Sequence, residues 1–241
     1  MSKLGFIFCS ILFINSLCLK GQTENIKFNH IGVDDGLSQG SIYSICQDKL
    51  GFLWFATENG LNRYDGYAFK VYKHNIRNEY SISSNKVLSL FEDSKKNLWI
   101  GTNEGLNYYD RNNDRIIKDP IWPHNTITSI AEDENNNLWL GSNGYLYYLD
   151  LKHDTLKVYT PNDSVNNRGY LSNGIINSIC VDHNKNVWIG TNRGLNLYSK
   201  QKDEFINYFY DSSNPNSLSN DEVCSLLEDK DGRLWIGTAT G

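Results

Sequence analysis

Five tryptophans, Trp54, Trp99, Trp139, Trp188 and Trp235, follow one another at intervals of 45, 40, 49 and 47 residues. The same residues return around each. An Asp stands six places before every one: Asp48, Asp93, Asp133, Asp182 and Asp229. A Ser stands ten before: Ser44, Ser89, Ser129, Ser178 and Ser225. Ile or Val stands twelve before, and Thr or Ser three after. Gly101, Gly141, Gly190 and Gly237 sit two after, with Ala56 in that place in the first copy. Ser38, Ser83, Ser172 and Ser219 stand sixteen before in four of the copies. A period of this length is the mark of a chain of stacked supersecondary units.

Each copy reads as four strands. "VLSLFED" is apolar on both faces, which predicts a strand buried on both sides. "SKKN" or "KLG" is a turn. "LWIGT" is a second buried strand, followed by a turn with Gly60, Gly105 or Gly194 placed for positive φ. "LNYYD" is a half-polar third strand, and "FKVYKH" or "FINYFY" alternates as an outer edge does. Sustained helical periodicity is missing, which excludes helical solenoids, and leucine-rich repeats are shorter. The expected fold is all-β: a β-propeller of four-stranded antiparallel blades, incomplete at about four and a half blades. The blade units are 37–77, 82–119, 122–160, 171–210 and 218–241. Residues 26–31 resemble a fourth strand without the first three, and are expected to close the last blade from outside. The repeated Ser is expected to let neighbouring sheets approach, and the repeated Asp to fold onto turn amides. Five identical acids related by rotation make a poor active site, because catalysis needs unlike groups in unlike roles.

The remaining composition narrows the partners. Aromatic residues make up 13% of the chain, too many for a disordered one. The net charge of −5 and the lack of a basic block exclude duplex nucleic acid. Residues 1–21 read as a signal peptide: Lys3, then an apolar run over 4–19, then a polar stretch. That run is shorter than the roughly 20 residues a bilayer span needs. Beyond this leader, Cys46, Cys180 and Cys224 are an odd set without zinc spacing, so neither disulfides nor a metal is expected, nor any cofactor. "DENNN" and "DKDGR" lack the ordered ligands of a calcium loop.

The run "GLSxxxIxSIxQDxxGFLWFATxxGLNRYDG", carried by Gly36 to Ser38, Gln47-Asp48, Gly51 to Thr57 and Gly60 to Gly66, resembles the two-component regulator propeller repeat. "LWIGTNEGLNYYD" and "VWIGTNRGLNLYS" carry it further along the chain. The resemblance implies the front part of a seven-bladed ring in a periplasmic sensor of hybrid two-component histidine kinases. It also implies an oligosaccharide or other small polar ligand, and a homodimer in the full-length sensor. Membrane attachment and the kinase core would lie beyond Gly241. His30, His74, His124, His153 and His183 have no helical context suited to phosphotransfer, so this chain is expected not to be an enzyme.

Specificity on a repeated frame is placed in its unlike loops. The connectors between blades differ most, and share a face with the turns joining second and third strands. Tyr80, Trp122, His124, Arg168 and Tyr170 lie in the connectors; Glu58, Asn103, Glu104, Asn192 and Arg193 lie in the turns. These ten are the candidate ligand contacts. Trp122 has two readings, a stacking surface for a sugar ring or a plug for a shortened gap between blades. A propeller glycosidase or lyase, which would need an unmatched carboxylate pair, and a purely structural interaction propeller are the competing functions.

Overall fold

The computed structural model describes residues 27–118, 122, 124–161 and 169–241. Four blades are four-stranded antiparallel sheets in simple sequential order. Blade 1 is β1 (Ile42–Gln47), β2 (Leu53–Thr57), β3 (Gly60–Tyr64) and β4 (Phe69–Tyr72). Blade 2 is β5 (Val87–Glu92), β6 (Leu98–Thr102), β7 (Gly105–Asp110) and β8 (Arg115–Lys118). Blade 3 is β9 (Ile127–Glu132), β10 (Leu138–Ser142), β11 (Leu146–Asp150) and β12 (Thr155–Tyr159). Blade 4 is β13 (Ile176–Val181), β14 (Val187–Thr191), β15 (Gly194–Ser199) and β16 (Glu204–Tyr208). The fifth sheet has two strands, β17 (Val223–Glu228) and β18 (Leu234–Thr238).

First strands pack on one another in series, β1 on β5, β5 on β9, β9 on β13 and β13 on β17, so the sheets stand radially about a shared axis. The repeat spacing explains the fit. The Gly two after Trp99, Trp139 and Trp188 faces the Ile or Val that opens the next blade. A Cβ on Gly101 would lie 2.7 Å from the Ile127 carbonyl oxygen and 2.1 Å from Ser89 Oγ. On Gly141 it would lie 2.6 Å from Ile176 Cγ2, and on Gly190 2.6 Å from Val223 Cγ1. Ser89 Oγ donates across the gap to the Ile127 carbonyl at 3.1 Å. Each first strand also carries a bulge near its Ser, such as that between Val87 and Ser89, which steepens its twist.

The repeated Asp caps the turn between first and second strands, and its other oxygen holds the Trp. Asp48 Oδ1 accepts the Leu50 and Phe52 amides at 3.0 Å, while Oδ2 accepts Trp54 Nε1 at 2.9 Å. The indole bond recurs from Trp99 to Asp93 at 2.9 Å, Trp188 to Asp182 at 3.0 Å and Trp235 to Asp229 at 2.8 Å. Blade 3 departs. Asp133 still caps its turn through the Asn135 and Asn137 amides, but its Oδ2 accepts the Tyr148 hydroxyl at 3.2 Å, and the buried Trp139 Nε1 has no partner.

The seams between blades come in two kinds. At the 1/2 seam, Tyr72 stacks on Trp54 with centroids 5.9 Å apart, and Tyr109 meets the same indole edge-on at 4.8 Å. Both hydroxyls converge on Asp114, which also pairs with Lys70. The 3/4 seam repeats this with Trp139, Tyr159, Tyr198, Asp203 and Lys157. Burial alone would raise Asp114, but hydrogen bonds from Lys70, Tyr109 and Tyr72 overcome it and hold its carboxyl down to about 2. Burial, reinforced by Asp114, pushes the Tyr72 phenol up. The 2/3 seam is dry: Trp122 stacks on Trp99 at 5.9 Å and 28°, in a cluster with Leu149 and Leu138.

Two expectations need correction. The closing strand expected over residues 26–31 is not formed: Ile26 lies outside the described residues, and residues 27–31 are in no strand. First strands are not buried on both sides throughout. In β1, Ile45 is 60% exposed because no blade covers its other face here, and Leu227 of β17 is exposed likewise. The leader at residues 1–21 lies outside the described residues. Among the described residues no helix is long and apolar enough to cross a membrane.

Candidate functional site

Antiparallel blades sort their loops onto two faces. The turns joining second and third strands share one face with the connectors between blades. A staple shapes each turn: Thr57 Oγ1 donates to the Gly60 carbonyl at 2.8 Å and accepts the Asn59 amide at 3.1 Å. Thr102 and Thr191 repeat it. Gly60 has φ 118° at a point where a Cβ would lie 2.9 Å from the Tyr72 carbonyl oxygen.

Beneath the turns lies a polar clasp that residue-by-residue reading of the repeat missed. Ser38 Oγ meets Thr57 Oγ1 at 3.0 Å, and Asn62 both accepts the Ser38 amide at 2.9 Å and donates to Ser38 Oγ at 2.8 Å. Ser83, Thr102 and Asn107 repeat all three bonds. Ser172, Thr191 and Asn196 keep the first two. The signal was a fully buried Asn eight after the Trp, in "GLN", which nothing apolar requires. Blade 3 has Tyr147 there and Pro123 in the Ser place, so it loses both ends of the clasp together.

The ten candidate contacts fall into separate groups. Glu58, Asn103, Glu104, Asn192 and Arg193 are exposed around the inner mouth of the face. Lys86 joins two of them: its ammonium pairs with Glu58 at 3.3 Å and its carbonyl accepts the Asn103 amide at 3.2 Å. The Glu58 hydrogen bond raises the Lys86 ammonium above its ordinary value. Asn192 accepts Asn177 Nδ2 at 2.8 Å, and the same amide reaches the Val223 carbonyl of the next sheet.

Tyr80 and Tyr170 lie instead at the outer rim, beside the fourth strands of the blades that follow them. The Tyr80 carbonyl accepts the Ile116 amide at 3.2 Å, and Arg115 covers one face of its ring at 4.1 Å. Tyr170 is 54% exposed, and its carbonyl accepts Asn207 Nδ2 at 3.1 Å. His124 is exposed. Arg168 lies outside the described residues. Trp122 is not a surface contact: it is only 6% exposed and occupies the stacking place that Tyr72 and Tyr159 fill at the other seams. Its indole is long enough to close a seam that has Leu149 where Tyr109 and Tyr198 stand elsewhere. Among the described residues no group of three or more His, Cys, Asp or Glu side chains gathers as metal ligands do.

Residues 36–59, 81–104 and 121–144 match the two-component regulator propeller family. Those three segments carry the repeat of that family. Beyond these repeats, residues 134–241 match the SMP-30/gluconolactonase/LRE-like region. Histidine kinase P4 of Formosa agariphila is 44% identical over 84 residues, which is 34% of this chain and 6% of that protein. Among solved structures, the propeller repeats superpose on an extracellular domain from B. thetaiotaomicron described as part of a one-component system. The TM-score is 0.68 at 23% identity, covering 83% of this chain and 26% of that one. A second B. thetaiotaomicron extracellular domain, described as part of a hybrid two-component system, gives 0.53 at 22% identity, covering 87% and 40%. Virginiamycin B lyase from Staphylococcus aureus gives 0.58 at 12% identity, covering 82% and 63%. Likeness at these identities shows a shared propeller fold. The chain spans less than half the length of the kinase and of both extracellular domains.

Proposed function

We propose that this chain is the exported ligand-sensing part of a two-component receptor, and that it reads an oligosaccharide or a similarly polar ligand for a kinase carried elsewhere. The observation that supports this most is the family match together with the placing of unlike side chains on one face of a repeated frame. The mouth offers amide, carboxylate and guanidinium groups from Asn103, Glu58, Glu104, Asn192 and Arg193. The rim offers aromatic surface at Tyr80 and Tyr170, with His124 beside it. Such a mixture suits hydroxyl-rich rings, which need both hydrogen bonds and a flat apolar surface. Signalling from such a part would run through a homodimer of the full-length receptor, and the leader would deliver it to the periplasm.

The second reading, a propeller enzyme, is favoured by the match of residues 134–241 and by the likeness to a lyase. Against it stands the use of the repeated acids, which are bonded to turn amides and indoles. Calorimetric titration with a panel of oligosaccharides tests the sensor reading. Saturable binding that weakens in Tyr170→Ala and Asn192→Ala is expected, with the ligand recovered unchanged. Conversion of the ligand, or no binding across the panel, would overturn it.

A further inference from the structure

The opposite face, formed by the turns joining first to second and third to fourth strands, holds a second feature. Twelve residues after its Trp, each of blades 2, 3 and 4 places one long side chain beside the preceding blade. In blade 2 this is Arg111, whose Nη1 reaches Asp48 at 2.7 Å and Nη2 Glu92 at 2.7 Å, while Nε donates to the Lys96 carbonyl at 3.0 Å. The guanidinium fills the 1/2 gap. In blade 3 it is Leu151, packed against the buried cluster of the 2/3 seam. In blade 4 it is Lys200, which turns outward to Glu134 at 2.8 Å and is 67% exposed. Val181 stands where blade 2 has the second anchor, Glu92. A cleft of about 370 Å3 is left open between blades 3 and 4.

The walls of this cleft are unlike those of a scaffold gap. The half-buried Tyr148 and Tyr198 present ring surface, and Asp133, Ser199, Gln201 and Asn186 present polar groups. Here too is the one repeat Trp whose buried Nε1 has no partner among the described residues. Lys185 brings an ammonium to the wall, and among the described residues that ammonium has no ion pair or hydrogen bond. Its neighbour Glu134 is already bound: the hydrogen bond from Lys200 holds that carboxyl below the usual range, with the Lys185 charge adding to it.

We propose that this cleft binds a small carboxylated sugar, its carboxylate on Lys185 and its ring against the aromatic wall of Tyr148 and Tyr198. The volume suits one or two sugar rings and is too small for a folded partner. Rings of this kind carry hydroxyls for Asp133 and Gln201, and the anion answers the unpaired ammonium. The site is distinct from the loop face, since Lys185 and Lys200 lie on the opposite face of the blades.

Calorimetry of the chain with D-glucuronate tests it, with D-glucose as the neutral counterpart. Saturable binding of glucuronate is expected, with glucose weaker by about tenfold or more. Lys185→Asn removes the charge and installs the residue that blade 3 carries at the same left-handed position, Asn136 at φ 62°. Lys200→Arg supplies a side chain that reaches Asp133 as Arg111 reaches Asp48. Each is expected to weaken glucuronate by about tenfold or more, the carboxylated ligand losing its cation or its space. No saturation up to about 50 mM glucuronate, equal binding of glucose, or parent-like affinity in both variants would overturn the proposal. Tyr170→Ala should leave glucuronate binding unchanged, so failure here is separable from failure of the loop-face reading.

Discussion

Truncating one carboxylate of the repeat measures what the indole bond contributes. Asp93 is buried, and its two oxygens accept the Asn97 amide at 2.7 Å and Trp99 Nε1 at 2.9 Å. Asp93→Ala leaves these two donors and Asn97 Nδ2, which bonds the same oxygen as the indole at 2.8 Å, without an acceptor inside the protein. The indole is the buried one of the three, and orphaning a buried donor costs about 1–3 kcal/mol. Asp133→Ala is the built-in control. Its indole, on Trp139, already lacks a partner among the described residues, so Asp133→Ala frees the Asn135 and Asn137 amides and the Tyr148 hydroxyl, each exposed or part-buried, and no buried indole. Donors that water can reach cost less to orphan, so the gap between the two variants is set chiefly by the buried indole bond. In a chain of this size each kcal/mol moves the melting midpoint by about 2–4 °C. Differential scanning calorimetry should show Asp93→Ala melting several degrees below Asp133→Ala. Equal midpoints, or a larger loss in Asp133→Ala, would refute the assignment of the repeated Asp as a latch for its Trp.

Other perturbations follow from the same contacts. The carboxyls of Asp48 and Asp114 are held below their unfolded values, so their stabilisation is complete above the ordinary carboxylate range and is lost as pH falls below it, for Asp114 down to about 2. Acid unfolding followed by circular dichroism should be shallower between pH 4 and 2 in Asp114→Asn; a curve superimposable on the parent's would count against it. Gly101→Ala forces a methyl into the Ser89 hydroxyl and the Ile127 backbone and should cost about 1–3 kcal/mol or more, whereas Gly40→Ala, with open space around it, should leave urea stability unchanged. Trp122→Ala should cost about 3–5 kcal/mol as a core truncation. Trp122→Phe should cost far less, because the Nε1 it removes has no hydrogen bond to lose.

What could be read in advance followed from the period. Strand positions, the capping Asp and the small Ser and Gly are tied to the Trp by fixed spacing, so five copies vote on each. Trp122 sits off that register, and only the stacking geometry at neighbouring seams shows that it does the work of Tyr72 and Tyr159. The cleft between blades 3 and 4 escaped notice for the opposite reason. Its cause is one in-register change, Arg111 to Lys200, whose meaning depends on where a long side chain turns in space. The Asn clasp was visible as "GLN" in three copies, yet its partner Ser lies 24 residues earlier, beyond the reach of local pattern. The connectors were expected to form one surface with the turns. They divide into mouth and rim because each crosses outward to the fourth strand of the next blade.

The two kinds of seam give the wheel an uneven grain. Joints 1/2 and 3/4 are each bolted by a pair of phenols and one aspartate, and acid or water entering there loosens both in the same way. Joint 2/3 is closed by stacked indoles and leucine in place of the two phenols and one aspartate that meet at the other two joints. Breathing of the chain should therefore part blade 1 from 2 and blade 3 from 4 first, leaving blades 2 and 3 travelling together as one wedge. Any signal that passes around this frame by small tilts would move in steps of two blades at its centre, because its middle joint is the one least able to give.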